Sequence, residues 1–256
     1  MDRNIKLTLE YDGTGLHGFQ KQPGLATVQG ELETALQVLL KEEVLTKGAG
    51  RTDAGVHATH QVVNFRTGPA ISLDRFSQAL NGIVDPRIRV KAAEDVAAEF
   101  HARRSAVSKR YCYYILNGSA ASPFRMSFAD WKPRQLDLGL MQDAADRFVG
   151  EHDFSAFCIH SPDKPDRVRT VRDVCVRQEE SWAGSAVVIE IEANSFLHRM
   201  VRLVVGTLVR VGLGSITVEE AERVLLEKDK DRAGPSAPAK GLFLTGVSYV
   251  GGLAQE

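Results

Sequence analysis

From residue 48 to residue 58 the chain reads Gly48-Ala49-Gly50-Arg51-Thr52-Asp53-Ala54-Gly55-Val56-His57-Ala58, with three glycines and three alanines. So little side-chain bulk lets a turn bring its backbone close to a ligand. Only Arg51, Thr52, Asp53 and His57 carry groups that do chemistry there. An arginine within about 4–6 Å lowers an aspartate pKa by about 1–3 units, which keeps the acid ionised at neutral pH. An ionised and aimed aspartate is a nucleophile for covalent catalysis. The same residues also suit a plain turn, because Asp before Ala-Gly commonly bonds its own backbone. Arg51 fits a structural ion pair as well as a substrate clamp. His57 and His60 lack a third ligand at metal spacing and read as polar loop residues.

Basic residues are clustered although the formal net charge is −1. Arg103, Arg104, Lys109 and Arg110 fall within eight residues, directly before the aromatics Tyr111 and Tyr113. Arg167, Arg169, Arg172 and Arg177 form a second stretch, and Arg199 and Arg202 a third. Such clusters fit a basic groove on an otherwise neutral protein. They equally fit solvated faces closed by intramolecular ion pairs.

The elements that must position these groups follow from periodicity. Ile5, Leu7 and Leu9 alternate with polar residues as a half-buried strand, ended by the turn Tyr11-Asp12-Gly13-Thr14-Gly15. Thr27 caps a helix striped by Val28, Leu32, Leu36 and Leu39. Strands at 44–46 and 61–66 bracket Asp53, placing it on a loop where functional side chains are commonly displayed. A helix over 72–80 and a strand at Ile88 and Val90 follow. In the second half, strands are expected at 111–116, 171–177 and 187–192, with loop over 118–135. Leu140, Ala144 and Phe148 stripe a helix that Gly150 ends. Phe196, Met200, Leu203, Val204, Leu208 and Val211 mark a strongly apolar helix. Thr217 and Glu220 form a capping box, and Leu242, Leu244 and Val247 a last strand. Strands and helices mix without strict alternation, which predicts an α+β fold with a mixed or antiparallel sheet. The softest boundary lies near residue 104, dividing the chain into 1–103, with the aspartate loop, and 104–256, with Tyr111 and the Arg202 helix.

At 256 residues, 43% hydrophobic and 25% charged, the composition is that of a globular protein and excludes disordered and fibrous classes. No apolar run approaches a bilayer span, so no membrane association is expected. The N-terminus carries no signal or transit character. Cys112, Cys158 and Cys175 are odd in number and lack metal or redox spacing. Together these favour the cytoplasm.

Six segments in order carry a resemblance: Tyr11-Asp12-Gly13-Thr14 with Gly18-Phe19-Gln20-Lys21-Gln22; Gly50 to His57; Phe100-His101-Ala102-Arg103 with Arg110-Tyr111-Cys112-Tyr113; Gly150 to Phe157; Ala193 to Arg202; and Ala237 to Leu242. Together they resemble the bacterial tRNA pseudouridine synthase A family, over about residues 5 to 249. Phe19 stands where many relatives carry Trp. The resemblance implies a pseudouridine synthase fold of two ferredoxin- or RRM-like halves. They would share a mixed, mainly antiparallel sheet, with a central catalytic cleft between them. It implies conversion of uridine to pseudouridine at positions 38–40 of the tRNA anticodon arm, with no metal and no organic cofactor. Asp53 would be the nucleophile and Tyr111 the residue stacking on the base. Arg51 and Arg202 would pair with the aspartate, and Arg199 lies one turn from Arg202. Arg103, Arg104, Lys109, Arg110 and Arg199 would contact RNA. The expected partners are the tRNA anticodon stem-loop and a second copy in a homodimer.

Two other classes compete with this reading. An RRM-like RNA-binding module without catalysis also uses strand aromatics and arginine, but a bare carboxylate repels phosphate. A glycosidase needs two flanking acids, and this loop offers one. A synthase of the same family with a different RNA target is the nearest rival.

Overall fold

The computed structural model describes residues 3–68, 72–159, 166–181 and 184–250. The chain divides into two compact units, Met1–Val107 with Phe243–Glu256, and Ser108–Leu242. Each pairs a mainly antiparallel sheet with helices, so the α+β class read from the sequence holds in both.

The first unit runs β1 (Arg3–Tyr11), α1 (Val28–Leu40), β2 (Lys47–Gly48), β3 (His57–Thr67), α2 (Phe76–Asn81) and β4 (Ile88–Val96). It is completed by the last strand of the chain, β10 (Leu242–Tyr249). The alternation seen in the sequence of β1 is real: Ile5, Leu7 and Leu9 are buried, and Ile5 and Leu7 stand opposite Phe65 and Val63 of β3. Residues 61–65 of β3 are all buried, so this strand is covered on both faces. Strand β10 joins β3 in parallel, Phe243 against His57 and Leu244 against Ala58. Thr27 caps α1, its hydroxyl accepting from the Gly30 N–H at 3.2 Å.

Two expected elements shift. The helix expected over 72–80 begins only at Phe76, after Arg75, which offers no side-chain cap. Its first ring stacks on Phe65 at 6.3 Å. The strand expected at 44–46 lies instead at Lys47–Gly48. Buried Glu33 explains this: its carboxylate accepts from the Thr46 N–H at 2.9 Å and hydroxyl at 3.1 Å, so Thr46 is tied to α1 rather than to the sheet.

The second unit runs β5 (Ala106–Asn117), β6 (Asp130–Lys132), α3 (Leu138–Asp146), β7 (Gly150–Asp153), β8 (Val168–Ser181), β9 (Gly184–Ala193), α4 (Met200–Gly212) and α5 (Val218–Glu227). Its sheet order is β5-β9-β8-β7. Tyr111, Tyr113 and Ile115 of β5 stand opposite Ile191, Ile189 and Val187, all buried. The stretch expected as loop holds the short strand β6, parallel to the end of β5. In α3, Asp137 caps the helix through the Leu140 N–H. Met141, Ala144 and Ala145 turn inward and Phe148 is buried, so of the expected stripe only Leu140 is out, at 42% exposed. Gly150 opens β7. Helix α4 starts at Met200, not at Phe196, because Arg199 adopts the left-handed φ of 63° and breaks the helix there. The capping box of α5 is present, with bonds of 2.8 and 3.2 Å.

Helix α4 is pressed against the loop at 233–238. The Gly234 N–H donates to the Thr207 hydroxyl at 2.8 Å, and a Cβ at Gly206 would lie 1.8 Å from the Pro235 carbonyl oxygen. Backbone cannot yield as a flexible side chain does. Gly206→Ala is therefore expected to cost about 1–3 kcal/mol by overpacking, lowering the melting temperature by roughly 5 °C in scanning fluorimetry. An unchanged melting curve would show that the contact is slack.

Candidate active site

The Asp53 loop belongs to the first unit, and several hydrogen bonds hold it there. The Gln61 amide, on β3, donates to the Gly50 carbonyl at 2.8 Å. The Tyr11 hydroxyl, at the end of β1, shares a hydrogen bond of 2.8 Å with the Thr52 hydroxyl. The Thr52 carbonyl accepts from the Phe19 N–H at 3.0 Å, and the Leu16 carbonyl from the Gly55 N–H at 3.3 Å. The Val56 N–H closes the turn on the Asp53 carbonyl at 3.1 Å, with Gly55 at φ 74°. Tyr11, Thr52 and Gln61 are buried while Asp53 is half-buried. The carboxylate is thus displayed from a turn whose backbone is fixed from below.

The turn 12–18 explains the glycines. Gly18 takes φ 86°, and a Cβ there would meet the Thr52 carbonyl oxygen at 2.8 Å. A Cβ at Gly13 would lie 2.2 Å from the Val56 carbonyl oxygen. The two loops therefore lie backbone to backbone. Gly48 plays the same part on the other side, where a Cβ would strike the ring of buried Phe19 at 2.4 Å.

His57 is structural. Its ring is buried, stacks on Phe243 at 4.6 Å, and accepts the Gly13 N–H on Nδ1 at 3.0 Å. Asp12 Oδ1 lies 3.1 Å from the same nitrogen. Burial pushes the Tyr11 phenol up to about 12, only partly offset by Thr52 and Gln61, so it stays a neutral hydroxyl. These buried supports give a measurable expectation. Gln61→Leu leaves the Gly50 carbonyl without its donor, costing about 1–3 kcal/mol, and loosens the loop. Turnover at saturating substrate should fall roughly tenfold with KM little changed, and unaltered turnover would refute the support.

The other sequence-selected residues fall as follows. Arg51 is exposed, and no ion pair joins it to Asp53 among the described residues. Tyr111 lies on β5 at 6% exposure, its ring edge-on to Phe196 at 5.0 Å. Tyr113 is a core residue: it donates to the Pro238 carbonyl at 2.9 Å, and burial raises its phenol further. Arg202, on α4, is half-buried and donates from Nε to the Ala237 carbonyl at 2.6 Å. The Ala237 N–H returns a bond to the Arg202 carbonyl at 3.0 Å. Arg199, which breaks α4, is exposed. Arg103 and Arg104 are exposed, whereas Lys109 is buried at 8%. Arg110 pairs with Glu192 at 3.0 Å and Glu190 at 3.4 Å.

That last pairing belongs to a ladder. Arg172 reaches Glu192 at 3.7 Å, and Arg177 reaches Glu179 at 2.6 Å and Glu190 at 3.3 Å. In the second basic stretch Arg172 and Arg177 are therefore ion-paired, as is Arg169 with Asp166 at 3.5 Å. The period-2 pattern of β9 carried the signal, since Glu190 and Glu192 face one side. Sequence reasoning missed the supports Tyr11, Gln61 and Thr52. Tyr11 and Thr52 stood inside the quoted segments, but nothing local marks a glutamine in an apolar strand as a loop anchor.

The half-buried Asp53 carboxylate thus stands on a braced, glycine-lean turn of an α+β protein. Comparison with known proteins gives the family. The family model described as tRNA pseudouridine synthase matches residues 8–103 and 144–250. The chain is 42% identical to a tRNA pseudouridine synthase A of Thermoanaerobacter sp. (strain X514) over 247 residues, covering 96% of this chain and all of that one. It is 43% identical, over the same shares, to one of Acetivibrio thermocellus. One of Halalkalibacterium halodurans is 41% identical, with 94% and 90% covered. The chain belongs to the tRNA pseudouridine synthase family and is an isomerase acting on tRNA uridine. No helix among the described residues is long and apolar enough to cross a membrane.

Proposed function

We propose that the chain isomerises uridine to pseudouridine at positions 38–40 of the tRNA anticodon stem-loop, with Asp53 as covalent nucleophile. The half-buried Asp53 on its braced turn is the observation that carries this reading. In one route the carboxylate attacks C1′, an ester bond forms, and the bond from C1′ to N1 breaks. The freed uracil turns, C5 bonds to C1′ as the carboxylate leaves, and the C5 proton departs while N1 gains one. Addition of Asp53 to C6 is the other route with the same outcome.

Tyr111 is the residue that stacks on the uracil. A phenol is a weak base for the C5 proton unless activated. Arg51 and Arg202 supply positive charge to the reaction, and no metal or organic cofactor takes part. The target base is flipped out of its stem, at a cost of a few kcal/mol, which phosphate contacts from Arg103, Arg104 and Arg199 offset. Lys109 and Arg110 contribute less, being buried and ion-paired respectively. The enzyme works in the cytoplasm as a homodimer.

Release of tritium from uracil C5 of tRNA, followed by mapping of pseudouridine along the product, tests the reading. Pseudouridine confined to positions 38–40 is the expected result. Modification elsewhere would assign a different RNA target, and no release would favour a binding module.

A further inference from the structure

The cations of this chain are not equivalent. Arg110, Arg172 and Arg177 are matched to Glu179, Glu190 and Glu192. In the first unit Lys47, Arg103 and Arg104 are exposed, and no ion pair joins them to a carboxylate among the described residues. Charged side chains left unmatched by their own fold are the ones available to a polyanion.

Their placement is built from the core. Lys47 of β2 stands directly opposite Asn64 of β3, so their side chains share a face. Asn64 is buried, and its Oδ1 accepts the Ala102 N–H at 2.9 Å while its amide donates to Asn4 Oδ1 at 2.9 Å. Asn4 in turn donates to the Ala97 and Phe100 carbonyls, each at 2.9 Å. Tyr249 donates to the Ala102 carbonyl at 2.8 Å. Two buried amides and a phenol thus seat residues 97–102 on the sheet beside the strand pair that carries Lys47.

His101 finishes the arrangement. Its Nδ1 accepts the Arg103 N–H at 3.1 Å and the Arg104 N–H at 3.4 Å. Its backbone N–H donates to the Ser105 hydroxyl at 3.1 Å, and its carbonyl accepts from the Ser105 N–H at 2.9 Å. With Nδ1 accepting, the neutral ring carries its proton on Nε2 and offers a donor. Burial, and then Arg104, Lys47 and Arg103, hold the His101 pKa below its ordinary value, so the ring feels all three cations.

We propose that Lys47, His101, Arg103 and Arg104 form a preformed platform that grips the sugar-phosphate backbone of the tRNA. This rests on the reading that tRNA is the substrate. Three unmatched cations and a neutral N–H donor, carried on a backbone held by His101 and buried amides, suit successive phosphates.

The test is binding of a tRNA transcript to the full chain, followed by fluorescence anisotropy over about 50–200 mM KCl. Lys47→Ala and Arg104→Ala should each weaken binding several-fold. Each should also reduce the slope of log K against log salt by roughly 0.7–0.9, with the double variant showing both losses. His101→Asn keeps an acceptor for the turn and loses the Nε2 donor, so a smaller loss with unchanged slope is expected. Arg172→Ala, whose partner is Glu192, should leave the slope unchanged, and melting curves matched to wild type confirm that each variant is folded. A double variant with wild-type affinity and slope overturns the proposal, and so does polyglutamate competing as well as tRNA. A wild-type chain that binds no tRNA would defeat the functional reading itself, and the platform with it.

Discussion

Asp53→Asn is expected to abolish tritium release from tRNA labelled at uracil C5, by at least about 10³-fold, while tRNA affinity stays within a few-fold of wild type. The substitution keeps the shape of the side chain and removes only its charge and nucleophilic oxygen. The turn keeps the hydrogen bonds that run through its backbone and through Thr52, Gln61 and Phe19. Loss of turnover with retained binding therefore isolates the chemistry. Equal release by both proteins would remove Asp53 from the mechanism. Loss of release together with loss of binding and a lowered melting temperature would assign it to structure instead.

Gly13→Ala should produce the second-largest loss, at a residue that carries no functional group. A Cβ there would sit 2.2 Å from the Val56 carbonyl oxygen and 2.7 Å from its carbon. Both are backbone atoms, so the turn 54–56 must move away. Overpacking of this kind costs about 1–3 kcal/mol, so the protein remains folded. A displacement near 1 Å at a reacting group costs about 10²-fold in rate. Turnover should fall by about that factor with tRNA affinity nearly unchanged, because the cations proposed to hold phosphate lie on other segments. Wild-type turnover in a folded Gly13→Ala protein would mean that the turn tolerates displacement and that Asp53 needs no such bracing.

Much of the scaffold was legible because its cues are local. The alternation of Ile5, Leu7 and Leu9, the Thr27 cap and the Thr217–Glu220 box each depend on residues a few positions apart, and all three are present. The expectations that shifted depended on distant partners. Thr46 looked like a strand residue until Glu33 of α1 claimed its N–H and hydroxyl. Leu140 looked like core until the packing of α3 buried Met141 in its place. The return of the final strand to β3 left no mark in its own residues, because Leu242, Leu244 and Val247 would suit any buried strand.

The sequence alone selected Asp53, through the lean run from Gly48 to Ala58 and its five companion segments. It determined the α+β class, and it supplied the clustered cations. Only the tertiary structure decided how the turn is held, joining Tyr11 to Thr52 and Gln61 to Gly50 across 41 and 11 residues. Only the tertiary structure separated the cations: Arg110, Arg172 and Arg177 meet carboxylates on β9, while Lys47, Arg103 and Arg104 do not. The reason is physical. The types of residue in a segment fix which charges and hydrogen-bonding groups exist, but whether a group is already satisfied depends on which distant residue folding brings opposite to it.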